Sequence, residues 1–395
     1  MSPFVQKYRC AVPAAVPSEP PCIGRKQDLD AICQLAAKMH PVLRRQMGSE
    51  NLSAYLGSPE KRSRLLQDGL PLLSQCRLVD GRGAGAQLRQ DCEALYLRTF
   101  GADEAEDPKV THQRRVDMDI LYGATATSAD ASARTILEGR YGSSRFYHVA
   151  ALDHHGRVVG QSQFSILPVQ DSYVAAYCQY VSVASASDAK ALYGYDNLNF
   201  RGRGIFVLLR AIELALAAGH GARIGHPNLL GAFFESEMKG QAKSAEDIRF
   251  TFQRLSIHNR MGARAMMLQM PDGTLQSPHL QPRLSPEQKR LRLHLLVAFA
   301  PQFESDRTHE LQCANAMLQA YLQNFVSEGF EAQEVAAVQD LVNKRFAQAQ
   351  SVRYVDVEDL PTMCELALHD PPLWRQIEET YGDVAQHAHD VAQVM

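Results

Sequence analysis

Arg201-Gly202-Arg203-Gly204 stands directly before an apolar helical run that opens at Ile205, and these residue types suit one task, holding a phosphate group. A helix N-terminus leaves backbone N–H groups without internal partners and carries partial positive charge, so it attracts anions. Gly202 and Gly204 let the backbone approach such an anion with no Cβ in the way, and Arg201 and Arg203 add cationic donors. Two familiar phosphate loops do not fit. A Walker loop needs Lys and then Ser or Thr after its last glycine, where this chain has Ile205-Phe206. A dinucleotide loop follows the first strand of a parallel sheet, whereas this one follows a hairpin and a third strand. A second glycine-rich turn, Gly81–Ala86, has Asp103 near the spacing of a ribose contact. Its preceding strand is short and polar and no second strand completes the unit, so it reads as a linker.

Proton-transfer candidates lie downstream. Glu235 and Glu237 are two apart in AFFESEM, so on a strand both point to one face, where they would attract an ammonium group and raise one another's pKa. The alternative for each is an ordinary ion pair with Arg249 or Arg254. Phe233 and Phe234 beside them suit an acceptor with a cationic and an apolar part. His258, on a helix among apolar neighbours, has the titration range for acid or base work, or is a structural histidine. His154-His155 reads as a solvated turn, and His220 and His226 lack metal-ligand spacing, so no metal site is expected. Cys178, on a central strand, reads as buried and inert.

The elements that must hold these residues follow from periodicity. Arg145–Leu152 and Val158–Leu167, joined by Asp153-His154-His155-Gly156-Arg157, form a β-hairpin, and Tyr173–Val183 makes a third strand covered on both faces. A helix spans Phe206 to Ala218 with Gly219 as its C-cap, followed by a strand at Ala232–Met238, a helix at Asp247–Arg260 and a strand at Ala263–Leu268. Earlier come helices at Gln27–Met47 and Pro59–Leu73, a short strand at Cys76–Val79, and helices at Gln87–Thr99 and Ala129–Leu137. Beyond Pro301 the pattern is wholly helical: Glu310–Val326, Ala332–Ala349, Val357–Leu368 and Pro372–Tyr381.

The composition agrees with a folded, water-soluble chain. In 395 residues, 45% are hydrophobic and 22% charged, enough for a sizeable core. A net charge of -3 argues against nucleic acid or an anionic membrane as partner. No apolar run approaches the roughly 20 residues of a membrane span. Eight cysteines without a CxxC pair, and a proline-rich start without a secretory core, place the chain in the cytoplasm as an expectation.

The order hairpin, strand, basic glycine loop, long helix, strand, helix, strand resembles the GNAT N-acetyltransferase superfamily over about Gln87 to Leu268. Val181-Ser182-Val183 resembles the end of the family's fourth strand, where main-chain groups hold the pantetheine arm. Arg201 and Gly204 match the first and fourth positions of its (Q/R)xxGx(G/A) diphosphate loop, which runs on to Ile205, while Phe206 replaces the usual small residue at the end. Ala184–Leu198 is an insertion between strand and loop. His258 stands where many members carry a Tyr that protonates the departing thiolate.

The resemblance implies an α/β fold with a mixed, mostly antiparallel sheet and helices on both faces. It implies acetyl-CoA, or another acyl-CoA, as co-substrate, a small-molecule amine or amino acid as acceptor, and direct attack in a ternary complex, with Glu235, Glu237 or His258 moving the protons. A long-chain N-acyl amino acid synthase and a non-catalytic coenzyme A sensor are the other readings, and a homodimer is an admissible assembly. The expected division is a helical flank at 1–80, the acyltransferase domain at 81–300 and a helical region at 301–395.

Overall fold

The computed structural model describes residues 77–360 apart from 82–84, 105–107, 123–130, 143, 170–172, 202–204, 240–244, 261, 284–289 and 301–309, with Arg375 in addition. The helices expected at Gln27–Met47, Pro59–Leu73 and Pro372–Tyr381 fall outside this set, Arg375 aside. The chain is mixed α/β with a mostly antiparallel sheet, and it forms two compact units. One takes its described residues from Tyr55–Ala232 and Ala300–Ser305. The other takes them from Phe233–Phe299 and Asp306–Met395. The described residues beyond Asp306 thus share a unit with those of Phe233–Phe299.

In the first unit β1 (Arg77–Asp80), β2 (Arg145–Leu152), β3 (Val158–Val169) and β4 (Tyr173–Val183) make an antiparallel meander. Helices α1 (Ala86–Glu104), α2 (Pro108–Tyr122) and α3 (Ala131–Tyr141) precede β2, and α4 (Ala186–Tyr193) and α5 (Ile205–Arg223) follow β4. The sequence gives no clear signal for α2, whose stripe is broken by the buried Arg114 and Arg115. Arg114 is held by stacking over the Phe146 ring at 4.3 Å.

The period of two along β3 explains why this strand is buried at every residue but Pro168. Ser162 hydrogen-bonds Glu213 of α5, and Gly160 lies under Ile205 of the same helix, where a Cβ would come within 2.7 Å of the Ile205 methyl. The alternate residue Gln161 points the other way, donating to the Cys92 carbonyl of α1 at 2.5 Å. Helices thus cover β3 on both faces. In β4 the register shifts between Gln163↔Tyr180 and Phe164↔Cys178, leaving Gln179 as a bulge residue. The bulge reverses the alternation. Cys178 faces Glu213 of α5 at 2.7 Å, whereas Tyr180, only two residues on, packs edge-on against Tyr96 of α1 at 4.9 Å. This is the physical source of the strand's imperfect alternation.

Helix α5 corrects one expectation. It does not stop at Gly219 but continues through Gly221 to Arg223. Gly221 is a packing glycine, since a Cβ there would lie 2.4 Å from Val174 and 2.5 Å from the His226 carbonyl, and the left-handed turn comes later, at Gly225 (φ 84). Strand β5 (Asn228–Glu237) follows, its first five residues in the first unit and the rest in the second.

The second unit contains α6 (Ala245–Arg260), β6 (Arg264–Gln269), the short β7 (Leu275–Gln276) and β8 (Leu280–Gln281), β9 (Leu291–Phe299), α7 (Leu311–Ser327), α8 (Ala332–Gln348) and β10 (Ser351–Asp356). Strand β6 lies between β9 and β10, antiparallel to both. One expectation is corrected here. The region after Pro301 is not wholly helical: Ser351–Asp356 is a strand and Val357–Asp359 a 3-10 turn, while 361–368 of the helix expected at Val357–Leu368 lie outside the described residues. The run SVRYVD alternates with β-branched and aromatic residues, and six successive pairings with β6 hold it. Strand β9, unforeseen, buries Leu293 through Ala298. Arg283 and Arg290 clasp Glu334 at the start of α8 at 3.0 and 2.7 Å, and hydrogen bonds from Arg290 and Arg283 hold its carboxyl down at about 2.

Candidate functional site

Two groups of residues carry the candidate chemistry, one in each unit. In the first, Val181 and Val183 end β4 opposite Ser162 and Gly160, on the face that α5 covers. Helix α4 then follows, with a capping box between Ser185 and Asp188 and Gly194 as its left-handed C-cap. The chain returns at Arg201, whose Nε donates to the Val183 carbonyl at 3.0 Å and whose terminal nitrogen lies 3.7 Å from Asp188 Oδ2. The side chain thus fastens the loop to the strand end while remaining 54% exposed. Arg98 of α1 donates to the other Asp188 oxygen at 3.0 Å. Burial alone would raise the Asp188 carboxyl, but hydrogen bonds from Ser185 and Arg98 and the Arg201 charge hold it below the usual range.

Gly202, Arg203 and Gly204 lie outside the described residues. Ile205 is buried on Gly160 and begins a helix of 19 residues with no acidic side chain in its first turn. The positive end of its dipole is therefore not neutralised from within the helix.

Below that turn, α5 carries a fully buried polar group. Arg210 and Glu213 form an ion pair at 2.7 Å, 3% and 0% exposed, and Glu213 also accepts from the Ser162 hydroxyl and the Cys178 thiol. Burial pushes the Cys178 thiol well above its ordinary value, so this cysteine is a structural donor and not a nucleophile.

In the second unit Glu235 and Glu237 do share one face of β5, with Phe234 and Ser236 buried on the other. Their partners differ. Glu237 is bound by Arg254 of α6 at 2.5 Å. Glu235 is hydrogen-bonded to Nε2 of His279 at 2.7 Å, its side chain 17% exposed while His279 is wholly buried. A neutral imidazole bonded this way carries its proton on Nε2, leaving Nδ1 bare, and that atom is buried without a partner. His279 packs edge-on against Tyr321 of α7 at 5.1 Å. His258 of α6 lies over the Phe234 ring at 4.9 Å between centroids. Sequence reasoning missed His279 because it sits in an irregular segment, 44 residues from the carboxylate it contacts.

Behind His279 lies His294 of β9, also buried. Burial, reinforced by His279, lowers its pKa to about 4. The unfolded chain therefore binds a proton at His294 between about pH 6.5 and 4 that the folded chain does not, and stability present above pH 6.5 is lost through that window. Linkage puts the loss on the order of 3 kcal/mol. Urea unfolding at pH 7 and pH 4.5 should show this drop in the wild type, and His294→Phe should remove most of it.

Among the described residues no group of three or more His, Cys, Asp or Glu could hold a metal ion, and no helix is long and apolar enough to cross a membrane. No family model matches the chain and no curated protein matches it in sequence. Among solved structures the chain is similar to an acetyltransferase of the GNAT family from Staphylococcus aureus Mu50, at 10% identity and a TM-score of 0.22, over 56% of this chain and 98% of that one. A likeness of that size carries neither fold nor activity across, so function has to be argued from the residues themselves.

Proposed function

We propose that this chain is an acyl-coenzyme A-dependent N-acyltransferase, most simply transferring acetyl to an amine of a small molecule or amino acid. The observation that carries the reading is the bond from Arg201 Nε to the Val183 carbonyl. A thioester-bearing nucleotide has to be gripped at its diphosphate and along its arm at once. That bond ties the glycine loop suited to the first task to the strand end suited to the second. The open helix dipole at Ile205 and the cationic Arg203 supply the anion's surroundings.

Each residue then has a role that its chemistry supports. A backbone N–H near Val183 polarises the thioester carbonyl. Within the second unit Glu235 is the carboxylate suited to accept an amine proton, and His279 orients it as a positioning residue. Glu237, engaged by Arg254, is the poorer acceptor. A free thiol has a pKa near 8.5, so the departing thiolate needs only modest help, for which His258 is the candidate donor. The rings of Tyr96 and Phe100 pack on Tyr180 at 4.9 and 5.2 Å, filling the space beside β4 on the face that α1 covers, which supports a short acyl group over a long chain.

The test is thiol release from acetyl-CoA by the purified chain, followed across amino acids, polyamines and lysine peptides. Amine-dependent release with at least one acceptor is expected. Coenzyme A binding without release from acetyl- or long-chain acyl-CoA across the panel would instead favour a sensor.

A further inference from the structure

Helices α1 and α2 and strand β3 of the first unit line a half-open cavity of about 270 Å³ that the proposed reaction does not use. Its walls are unusual in what they leave unsatisfied. Arg115 of α2 is 8% exposed, and its Nε is buried without a hydrogen-bond partner. Gln163 of β3, 2% exposed, has its Oε1 in the same condition. A buried donor or acceptor left unpaired costs about 1–3 kcal/mol, more for a charged group, so two on one cavity wall call for an occupant. Arg89 and His112 line the same cavity with Glu93, so its guanidinium groups outnumber its carboxylates. Burial, reinforced by the charges of Arg114 and Arg89, holds Arg115 below the ordinary guanidinium range, a penalty that an anion would relieve.

We infer that this cavity binds a small carboxylate carrying a hydrogen-bond donor on the neighbouring carbon, an α-amino or α-hydroxy acid. The carboxylate accepts from Arg115 Nε, and the ammonium or hydroxyl donates to Gln163 Oε1. Planar guanidinium groups match carboxylate geometry. The volume lies just under the usual range of small-molecule sites, about 300–1,000 Å³, and suits a molecule of amino-acid size. Cys92 on the same wall takes no covalent part, because burial pushes its thiol up to about 12. The site is independent of coenzyme A, so its test needs no acyl donor.

The probes are L-glutamate, L-leucine and L-lactate, compared with L-leucinamide, acetate and inorganic phosphate. Each is titrated into the full-length chain, with melting temperature and calorimetry as readouts. At least one of the first three should raise the melting temperature saturably, and L-leucinamide, which lacks the carboxylate, should not. Arg115→Gln should weaken that binding by at least ~10-fold. Gln163→Met should shrink the preference for lactate over acetate by a similar factor while leaving acetate binding in place. This second variant decides the matter if Arg115→Gln does not fold. No binding by any of the three, binding by phosphate alone, or unchanged affinity and preference in the folded variants would overturn the assignment.

Discussion

Glu235→Gln should lower kcat for acyl transfer by about 10²–10⁴-fold, the usual contribution of a positioned general base, while KM for acetyl-CoA stays nearly unchanged. The amide keeps the shape of the carboxylate and can still accept from His279 Nε2, so the variant removes the charge and leaves the packing. The comparison variant is Glu237→Gln. Because Arg254 already occupies Glu237, its loss should affect kcat much less. His279→Phe separates orientation from chemistry: it leaves Glu235 ionisable but unheld, and should lower kcat by an intermediate factor and change the pH profile. If Glu237→Gln proves the more damaging variant, the base has been assigned to the wrong carboxylate.

Glu213→Leu should destabilise the fold by about 3–5 kcal/mol, because it strands Arg210 as a buried, uncompensated charge and takes the acceptor from Ser162 and Cys178. The pair itself is a different matter. Desolvating two charges offsets much of their attraction, so Arg210→Met, Glu213→Leu and Ser162→Ala together should recover most of the lost stability. Urea unfolding of the single and triple variants measures both quantities. A single variant within about 1 kcal/mol of wild type would mean that water reaches this group, contrary to its burial.

The parts of the fold that could be read from sequence are those where local pattern and tertiary environment agree. The β2–β3 hairpin is marked by its Asp-His-His-Gly-Arg turn, and β4 by the run Tyr173–Val183, and both stand where periodicity puts them. Where packing overrides local pattern, the reading failed. Gly219 looks like a helix stop, yet α5 continues because Gly221 is needed against Val174. Helix α2 carries two buried arginines that spoil its stripe, and β10 gives little signal because its alternation spans only six residues in the gap between two helical runs.

The candidate site divides the same way. That Glu235 and Glu237 share a face follows from strand period alone, whereas the partners that distinguish them, His279 and Arg254, are set by long-range packing. Arg201 was legible as a cation beside a glycine loop. That its guanidinium turns back onto Val183, beside Asp188 of α4, is set by packing between separate segments.

The most direct measurement is a calorimetric titration of acetyl-CoA into the wild-type chain and into Gly204→Asp. Wild type should bind one equivalent. The variant, which sets a carboxylate where the diphosphate would lie, should bind at least ~100-fold more weakly, since opposed like charges cost several kcal/mol. Equal affinity in the two proteins, or no heat of binding in wild type, would contradict the assignment of this loop to coenzyme A.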